Sequence, residues 1–375
     1  MTQTYRARLI TTPDEFIARW AALDPGATPF QSPHWLGAWY RHVGSSEGIS
    51  PVLVEIEDVE TNEPVMGLPL VLDRRSRQSV IGFADLGISD YNMPLLGPAA
   101  PTSIAGAAAA WAAAREVLPQ ADLSVFEKMP QGINGRANPI VLALGGHRSH
   151  LSGGQVILDE EYDAWLRGLP RHDRKELGRF WRVFTAHSED ARFIRARNAG
   201  EGRAILDWLE AMQNARSEEV GYEYLLDRPA YRDLYRALAE GGIERGEIII
   251  TALKAGEEFV AALYCIASKP RYTMVRIATA GGDWSNCSPG RLIIERTMAT
   301  LHAEGYRHID FGIGDYAYKR RFHLESIPLF DVTLALSMFG LPRKAIQEAK
   351  AYVKSRPALE QVARRAMAWR RGKAA

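Results

Sequence analysis

Ala280-Gly-Gly-Asp-Trp-Ser-Asn-Cys-Ser-Pro-Gly-Arg-Leu292 and, one helix later, Gly305-Tyr-Arg-His-Ile-Asp-Phe-Gly-Ile-Gly-Asp-Tyr-Ala-Tyr-Lys-Arg-Arg-Phe322 decide how this chain reads. The first stretch is a strand end and a glycine-bearing loop that runs into a helix. Pro289 suits that entry, because its missing N–H is not needed in a first helical turn. A loop feeding backbone N–H groups into a helix N-terminus is an anion site; the same pattern also serves an ordinary helix entry that binds nothing. The second stretch is a strand, His308–Gly312, followed by a polar and aromatic cluster. Phosphate recognition one strand away from Tyr316, Tyr318 and Lys319 implies group transfer from a nucleotide-bearing donor.

Around these stretches one order of elements occurs twice. Helical periodicity at Asp14–Leu23 and Pro33–His42 precedes alternating apolar runs at Val52–Ile56 and Val65–Leu72. A third run at Val80–Leu86, an alanine-rich helix near Thr102–Leu118 and a strand at Leu123–Phe126 follow. In the second half, helices Arg203–Glu219 and Pro229–Glu240 precede a hairpin of Ile248–Leu253 and Phe259–Ile266. Strand Tyr272–Ala280, helix Arg291–Glu304 and strand His308–Gly312 complete that half. The repeated order predicts an α/β chain of two tandem domains, each a mixed twisted sheet flanked by helices. The expected bounds are 1–150 and 151–340, with a basic helical tail at 341–375. Between the halves, Gln155–Leu158 reads as a strand, Arg171–Phe184 as a helix, and Asn134–Gly154 as a linker or exposed loop.

A chain of 375 residues accommodates two domains of ordinary size. Its 46% hydrophobic and 24% charged residues suit a globular enzyme, and a net charge of +1 argues against a protein built wholly around nucleic acid. Cys265 and Cys287 fit a reducing compartment better than a disulfide. Met1–Ile10 lacks the apolar core of a signal peptide, and Ala105–Ala114 is too short to span a membrane, so a cytoplasmic location is expected. No metal is expected, since His147 and His150 alone do not make a ligand set.

From Arg343 onward ten Lys/Arg face only Glu348 and Glu360. Apolar stripes there, from Ala345 and Ile346 to Met367 and Trp369, lie opposite the basic residues. Two readings stand: an interfacial helix on the anionic inner face of the cytoplasmic membrane, or a helix packed on its own protein with charges in water. Likewise Arg171, Arg174, Lys175, Arg179 and Arg182 form either a solvated helix face or a contact for phosphate or an anionic surface.

The entry Ser288-Pro-Gly-Arg-Leu292, with Gly305-Tyr306, Asp310-Phe-Gly312, Tyr318-Lys319 and Phe322, carries a family resemblance. From about Tyr162 to Phe322 the chain resembles the acetyltransferase-type domain associated with cellulose biosynthesis, within the GNAT N-acyltransferase superfamily. Phe30-Gln-Ser-Pro-His-Trp35, Trp39 and Asp90-Tyr91 are similar to the N-terminal half of that group. More distantly, the chain is similar to Fem-type peptidoglycan aminoacyl ligases, which are tandem GNAT folds. The resemblance implies acyl-CoA as co-substrate and an amine acceptor: an envelope precursor, a sugar or a lipid amine such as a long-chain base. It also implies two splayed parallel strands, Tyr272–Ala280 and His308–Gly312, with backbone amides near Ala278–Gly281 meeting the donor. One departure stands out. The usual Gln/Arg-x-x-Gly-x-Gly/Ala donor loop is replaced by Asn286-Cys-Ser-Pro-Gly290. Aminoacyl transfer from charged tRNA, and a non-catalytic partner of a polysaccharide or lipid synthesis complex, are the alternatives this leaves.

Attack of an amine on a thioester needs a neutral nucleophile, a stabilised oxyanion and a proton for the leaving thiolate. Tyr318 is expected to supply the proton and Lys319 to hold an anionic group, although Lys319, Arg320 and Arg321 also read as a solvated basic run. Adjacent residues on an extended chain face opposite ways, so only one of Tyr318 and Lys319 is expected to reach the reaction centre. Asp310 is expected either to act as a base through water or to fix a neighbouring loop. Ala280, Ser288, Gly290, Arg291 and Leu292 are the expected donor contacts. Trp35, Trp39, Asp90, Tyr91 and Asn92 fall where the Fem-like arrangement places an acceptor cleft between the halves, with Arg321 beside the transfer residues. Trp35 and Trp39, four apart on a helix, equally suit core packing.

Overall fold

The computed structural model describes residues 4–23, 28–158, 161–221, 225–314 and 316–354. In chain order its first stretch is β1 Tyr5–Ile10, α1 Pro13–Ala21, α2 Pro33–His42, β2 Ile49–Asp58, β3 Pro64–Asp73 and β4 Val80–Phe83. The two-residue β5 Leu95–Leu96, α3 Ile104–Val117 and β6 Leu123–Pro130 follow. Next come β7 Gly132–Ile133, β8 Arg136–Ala137, α4 Pro139–Leu144, β9 His147–Ile157, α5 Tyr162–Gly168 and α6 Arg171–Ala186. The second stretch is β10 Arg192–Arg195, α7 Ala199–Val220, α8 Pro229–Gly242, β11 Ile248–Ala255, β12 Glu258–Ser268 and β13 Arg271–Thr279. It continues through α9 Pro289–Ala303 and β14 His308–Ile313 to β15 Glu325–Ala335 and α10 Leu341–Lys354.

The chain divides into two units. One gathers Met1–Gln31, Gly44–Ser152 and the described part of Pro328–Ala375; the other gathers Ser32–Val43 and Gly153–Ile327. Two segments therefore depart from the expected linear bounds. Helix α2 belongs to the second unit because its apolar face packs on α8: the Trp35 ring meets Tyr235 edge-on, centroids 6.3 Å apart, and His34 Nε2 lies 2.9 Å from Leu238 O. The strand β15 returns to the first unit by pairing with β6.

In the first unit the strands lie in the order β1-β2-β3-β4-β6-β15. The pairings are antiparallel except for β4 with β6, whose parallel alignment needs the crossover that α3 supplies. Val54, Ile56, Leu68, Leu70, Ile81 and Phe126 form the core with Trp111 of α3. In the second unit the order is β10-β11-β12-β13-β14-β9, again antiparallel except for the one parallel pair, β13 with β14, bridged by α9. The mixed α/β architecture and the repeated order are thus as the sequence implies. Each repeat also opens on a strand, β1 or β10, that sequence periodicity did not reveal. Leu292, Ile293, Met298 and Leu301 of α9 pack with Tyr272, Phe311 and Phe322, while α6 turns Leu177, Phe180 and Phe184 inward. Its Arg171, Lys175, Arg179 and Arg182 are exposed.

The segment expected to be a linker is ordered structure: it holds α4 and most of β9. Asn138 caps α4 by accepting from the Ile140 N–H at 3.1 Å.

A buried carboxylate anchors the first sheet. Glu55 of β2 is fully buried and accepts from Arg8 of β1 at 2.6 Å and from Arg19 of α1 at 2.8 Å. Burial opposes its ionisation, and the hydrogen bonds from Arg19 and Arg8 outweigh burial, holding Glu55 below the usual carboxylate range. Such a group contributes stability above its unfolded pKa, and that contribution is lost as pH falls through the lower folded value. Glu55→Gln is expected to lower stability by about 1–3 kcal/mol at neutral pH. In urea titrations the deficit relative to wild type should shrink in acid.

Candidate functional site

The parallel strands β13 and β14 share only three rungs, Arg271 with His308, Tyr272 with Ile309 and Thr273 with Asp310. Beyond Thr273 they part. On the β12 side the register shifts between Tyr264 and Cys265, so that Tyr264 faces Arg276 and Cys265 faces Met274, leaving Val275 as the extra residue of a bulge. A bulge bends and twists its strand, which carries Ile277 and Thr279 away from β14. On the other side Gly312 takes φ 67°, a left-handed conformation that glycine adopts without steric cost.

Asp310 fixes this divergence. It is fully buried, accepts from Arg271 Nη1 at 3.1 Å through Oδ2, and accepts the Gly312 N–H at 2.8 Å through Oδ1. Arg271 also donates to Gln155 of β9 at 3.1 Å. Of the two roles expected of Asp310, the geometry supports the positioning one: a carboxylate sealed against a guanidinium is poorly placed to be a base.

The loop expected to meet the donor forms a short 3₁₀ turn, Gly282–Cys287, and enters α9 through Ser288 at φ 45° with Pro289 in the first helical position. Several of the expected donor amides are already engaged. Ala280 N–H donates to Val260 O at 2.8 Å, Ser288 N–H to Ser285 O, and the Arg291 and Leu292 N–H groups both to Ser288 O. Leu292 is fully buried in the core. Among the described residues the Gly290 N–H has no such acceptor, and Gly290 lies beside Thr279 and Ile277 at the splayed end of β13. Arg291 is likewise committed: it pairs with Glu176 at 2.8 Å, and its guanidinium lies 5.1 Å above the Phe180 ring. The loop thiol is not activated, since burial pushes Cys287 up.

Past β14 the chain brings three aromatic and basic groups together. Lys319 is buried, not part of a solvated run; its ammonium donates to Ile313 O at 2.9 Å and Gly312 O at 3.2 Å. It lies 5.3 Å from the centre of the Tyr316 ring, which stacks on Tyr318 at 6.1 Å. Arg321 is exposed and reaches Asp173 at 3.1 Å. Asp173 is a hub that sequence spacing did not reveal, with Arg291 at 3.7 Å and His323 at 3.8 Å also on its carboxylate. His172, Asp173 and Glu176 lie close enough to suggest a cation site. A cation there would face the guanidinium groups of Arg291 and Arg321.

The expected acceptor contacts in the N-terminal half fare differently. Trp35 and Trp39 have no exposed surface and are core residues. Tyr91 is fully buried, 6.2 Å from Phe30, and its carbonyl accepts from Gln31 Nε2. Asn92 is buried and structural: its side chain donates to Glu127 O at 2.9 Å and Asp85 at 3.0 Å, and its backbone N–H to Lys128 O at 3.1 Å. Asp90 alone of that trio keeps partial exposure. These bonds close the first unit's own gap between β4 and β6, which pair at only two rungs. Lys128 completes the closure by donating to Asp85 at 2.8 Å.

Residues 171–320 match the acetyltransferase (GNAT) domain model. The match runs from α6 through the splayed strands to Arg320. A search of the curated proteins gives no match. Among solved structures the chain is similar to FemX at 11% identity and TM-score 0.59, covering 91% of this chain and 99% of that one. It is similar to the C-terminal domain (DUF2156) of a protein from Agrobacterium fabrum taken to be a lysylphosphatidylglycerol synthetase. That likeness has 11% identity and TM-score 0.50, covering 90% and 97% of the two chains. A conserved protein of unknown function from Bacteroides thetaiotaomicron is similar at 11% identity and TM-score 0.51, over 88% of this chain and 99% of that one. At these identities the likeness is one of fold.

One titratable group, opposite Arg271 on β14, reports on the Arg271–Asp310 pair. His308 is partly buried, its Nδ1 has no partner among the described residues, and burial followed by the Arg271 charge pushes its pKa below the ordinary imidazole value. Neutral His308 thus stabilises the fold above its unfolded pKa, and that stability is lost as pH falls through the lower folded value. Arg271→Gln should raise the His308 pKa part of the way back, as followed by an NMR titration of the imidazole, because burial remains.

Proposed function

We propose that the chain is an N-acyltransferase that moves an acyl group from acyl-CoA to an amine, with the reaction centre at the β13–β14 splay. The observation that carries this reading is the parting of β13 and β14 beyond Thr273, with the Val275 bulge on one strand and the left-handed Gly312 on the other. The thioester carbonyl would lie along the bulged edge of β13. The amine nitrogen attacks the carbonyl carbon, the C–S bond breaks as the tetrahedral oxyanion collapses, and the proton lost by nitrogen reaches the leaving thiolate. Lys319, a buried cation at the end of β14, is the group we assign to the developing negative charge. Tyr318 is assigned to the proton. Gly290 is assigned to the donor's pyrophosphate through its N–H, and Arg291 on release from Glu176.

The finer reading is an acetyltransferase of the cellulose-biosynthesis-associated type, with an envelope, sugar or lipid amine as acceptor. Arg321 and Asp90 are the expected acceptor contacts that retain exposed surface. A cytoplasmic protein touching the inner membrane surface through 343–375 fits this reading; of that segment, residues 355–375 lie outside the described structure. A specific observation favours a second reading, aminoacyl transfer from charged tRNA. The exposed basic face of α6, Arg171, Lys175, Arg179 and Arg182, flanks the same domain and suits a phosphate backbone. A non-catalytic role in a synthesis complex is the third.

Calorimetry with acetyl-CoA and longer thioesters, paired with thiol release over an amine panel, separates the three. Binding and turnover support the first reading, and activity with aminoacyl-tRNA but not thioesters supports the second. Neither activity, in folded protein, leaves the third. Lys319→Ala is expected to lower kcat by about 10²–10³-fold with little change in donor KM. Gly290→Val, which fills the space beside Thr279, should instead weaken donor binding at unchanged melting temperature.

A further inference from the structure

The turn between β15 and α10 holds apolar side chains in water. Met338 is 84% exposed and Phe339 79%, and Leu341 and Ile346 at the start of α10 are each 54% exposed. Scattered exposed apolar residues are ordinary, whereas Met338, Phe339 and Leu341, three within four positions, make a local apolar patch.

The turn presenting them is pinned. Leu336 N–H donates to Asp122 O at 2.9 Å, the Ser337 hydroxyl donates to Asp122 Oδ1 at 2.6 Å, and Gln78 Nε2 donates to Phe339 O at 2.5 Å. Asp122 is held in turn by the Ser79 N–H and hydroxyl, each at 2.9 Å. Gly340 sits so close to this strand end that a Cβ would come within 2.1 Å of Asp122 O. Hydrogen bonds on both sides thus fix a turn whose apolar tip faces outward.

Cations frame the patch. Arg74, Arg75 and Arg77, between β3 and β4, are exposed, and Arg343 and Lys344 stand on α10. Arg77 and Arg343 line one recess with Ser76, Gln78, Asp122 and Phe339. The carboxylates nearby are engaged: Asp73 is paired to Arg75, Asp122 accepts from Ser79 and Ser337, Glu348 lies 3.5 Å from Lys344, and Glu127 feels the Arg343 charge. Beyond Lys354 the sequence continues with the same sign, six Lys/Arg against Glu360. Apolar side chains ringed by guanidinium and ammonium groups match an anionic bilayer surface, where rings enter the acyl boundary and cations meet lipid phosphate.

We propose that Met338, Phe339, Leu341 and Ile346, framed by Arg74, Arg77, Arg343 and Lys344, dock the protein on an anionic phospholipid bilayer. The proposal is independent of acyl transfer, because docking needs no turnover. The test is cosedimentation of the full chain with phosphatidylcholine vesicles, plain or with about 30 mol % phosphatidylglycerol. Binding is expected only to the anionic vesicles. The double variant Met338→Ser, Phe339→Ser should weaken it by at least about tenfold at unchanged melting temperature. Arg77→Gln with Arg343→Gln should weaken it and flatten its salt dependence. Equal binding by wild type and the apolar variant overturns the proposal, as does failure to bind either vesicle. Binding lost on removing 355–375 yet untouched by the apolar variant assigns the contact to the tail and also overturns it. A concentration-dependent dimer abolished by the apolar variant, without vesicle binding, makes the face a self-association surface instead.

Discussion

The buried ion pair of Arg271 and Asp310 runs diagonally across the three rungs that β13 and β14 share, and the geometry of the second unit follows from it. Its atoms are 3.1 Å apart, with side chains 4% and 0% exposed. Desolvating two charges is expensive, so a buried pair is weak evidence for stability and better evidence for a fixed arrangement. Here the arrangement spans three strands, because Arg271 also reaches Gln155 of β9 and Asp310 also holds the Gly312 N–H. With β14 held to β13 in this way, the Val275 bulge and the left-handed Gly312 send the two strand ends apart. The gap is built, and each wall has a named cause.

The first unit shows what the same topology does when the gap is closed. Its parallel pair also separates after a few residues, but Asn92 caps Glu127 O and Lys128 O, and Lys128 turns inward to Asp85. Lys128 adopts φ 56° to do so, in a backbone region that L side chains rarely occupy. In the second unit the carbonyls at the end of β14, Gly312 and Ile313, receive the side-chain ammonium of Lys319.

The order of elements was legible because amphipathic helices and alternating strands carry their period in the sequence. Pro33–His42 was readable to the residue, with Ser32 capping and Pro33 opening the helix. β1 and β10 escaped because arginines interrupt their short apolar runs: Arg6 and Arg8 pair with Glu57 and Glu55 across the sheet, so their alternation marks ion pairs and not burial. β15 escaped because its partner β6 lies some two hundred residues earlier, beyond the reach of any local pattern. Trp35 and Trp39 have a helical spacing that fits a cleft wall or a core equally, and packing alone decides for the core. The Asp173 hub was invisible for the same reason, since Arg291, Arg321 and Asp173 meet only in three dimensions.

That hub also changes the meaning of the loop–helix entry. A helix N-terminus attracts anions through unsatisfied N–H groups and an unneutralised positive end. In α9 the first proline has no N–H, two of the next amides turn back to Ser288 O, and Arg291 is held by Glu176 and Asp173. What remains of the anion site is the Gly290 N–H and a guanidinium already balanced by carboxylates. Exchanging one anion for another around Arg291 leaves its charge paired before and after, so donor binding there gains little from the bare Coulomb attraction of an unpaired arginine. It depends instead on whether α6, which carries both carboxylates, can give up Arg291. On the proposed function, the grip on a phosphate-bearing donor would be set by the seating of α6 on α9 as much as by the loop that enters α9.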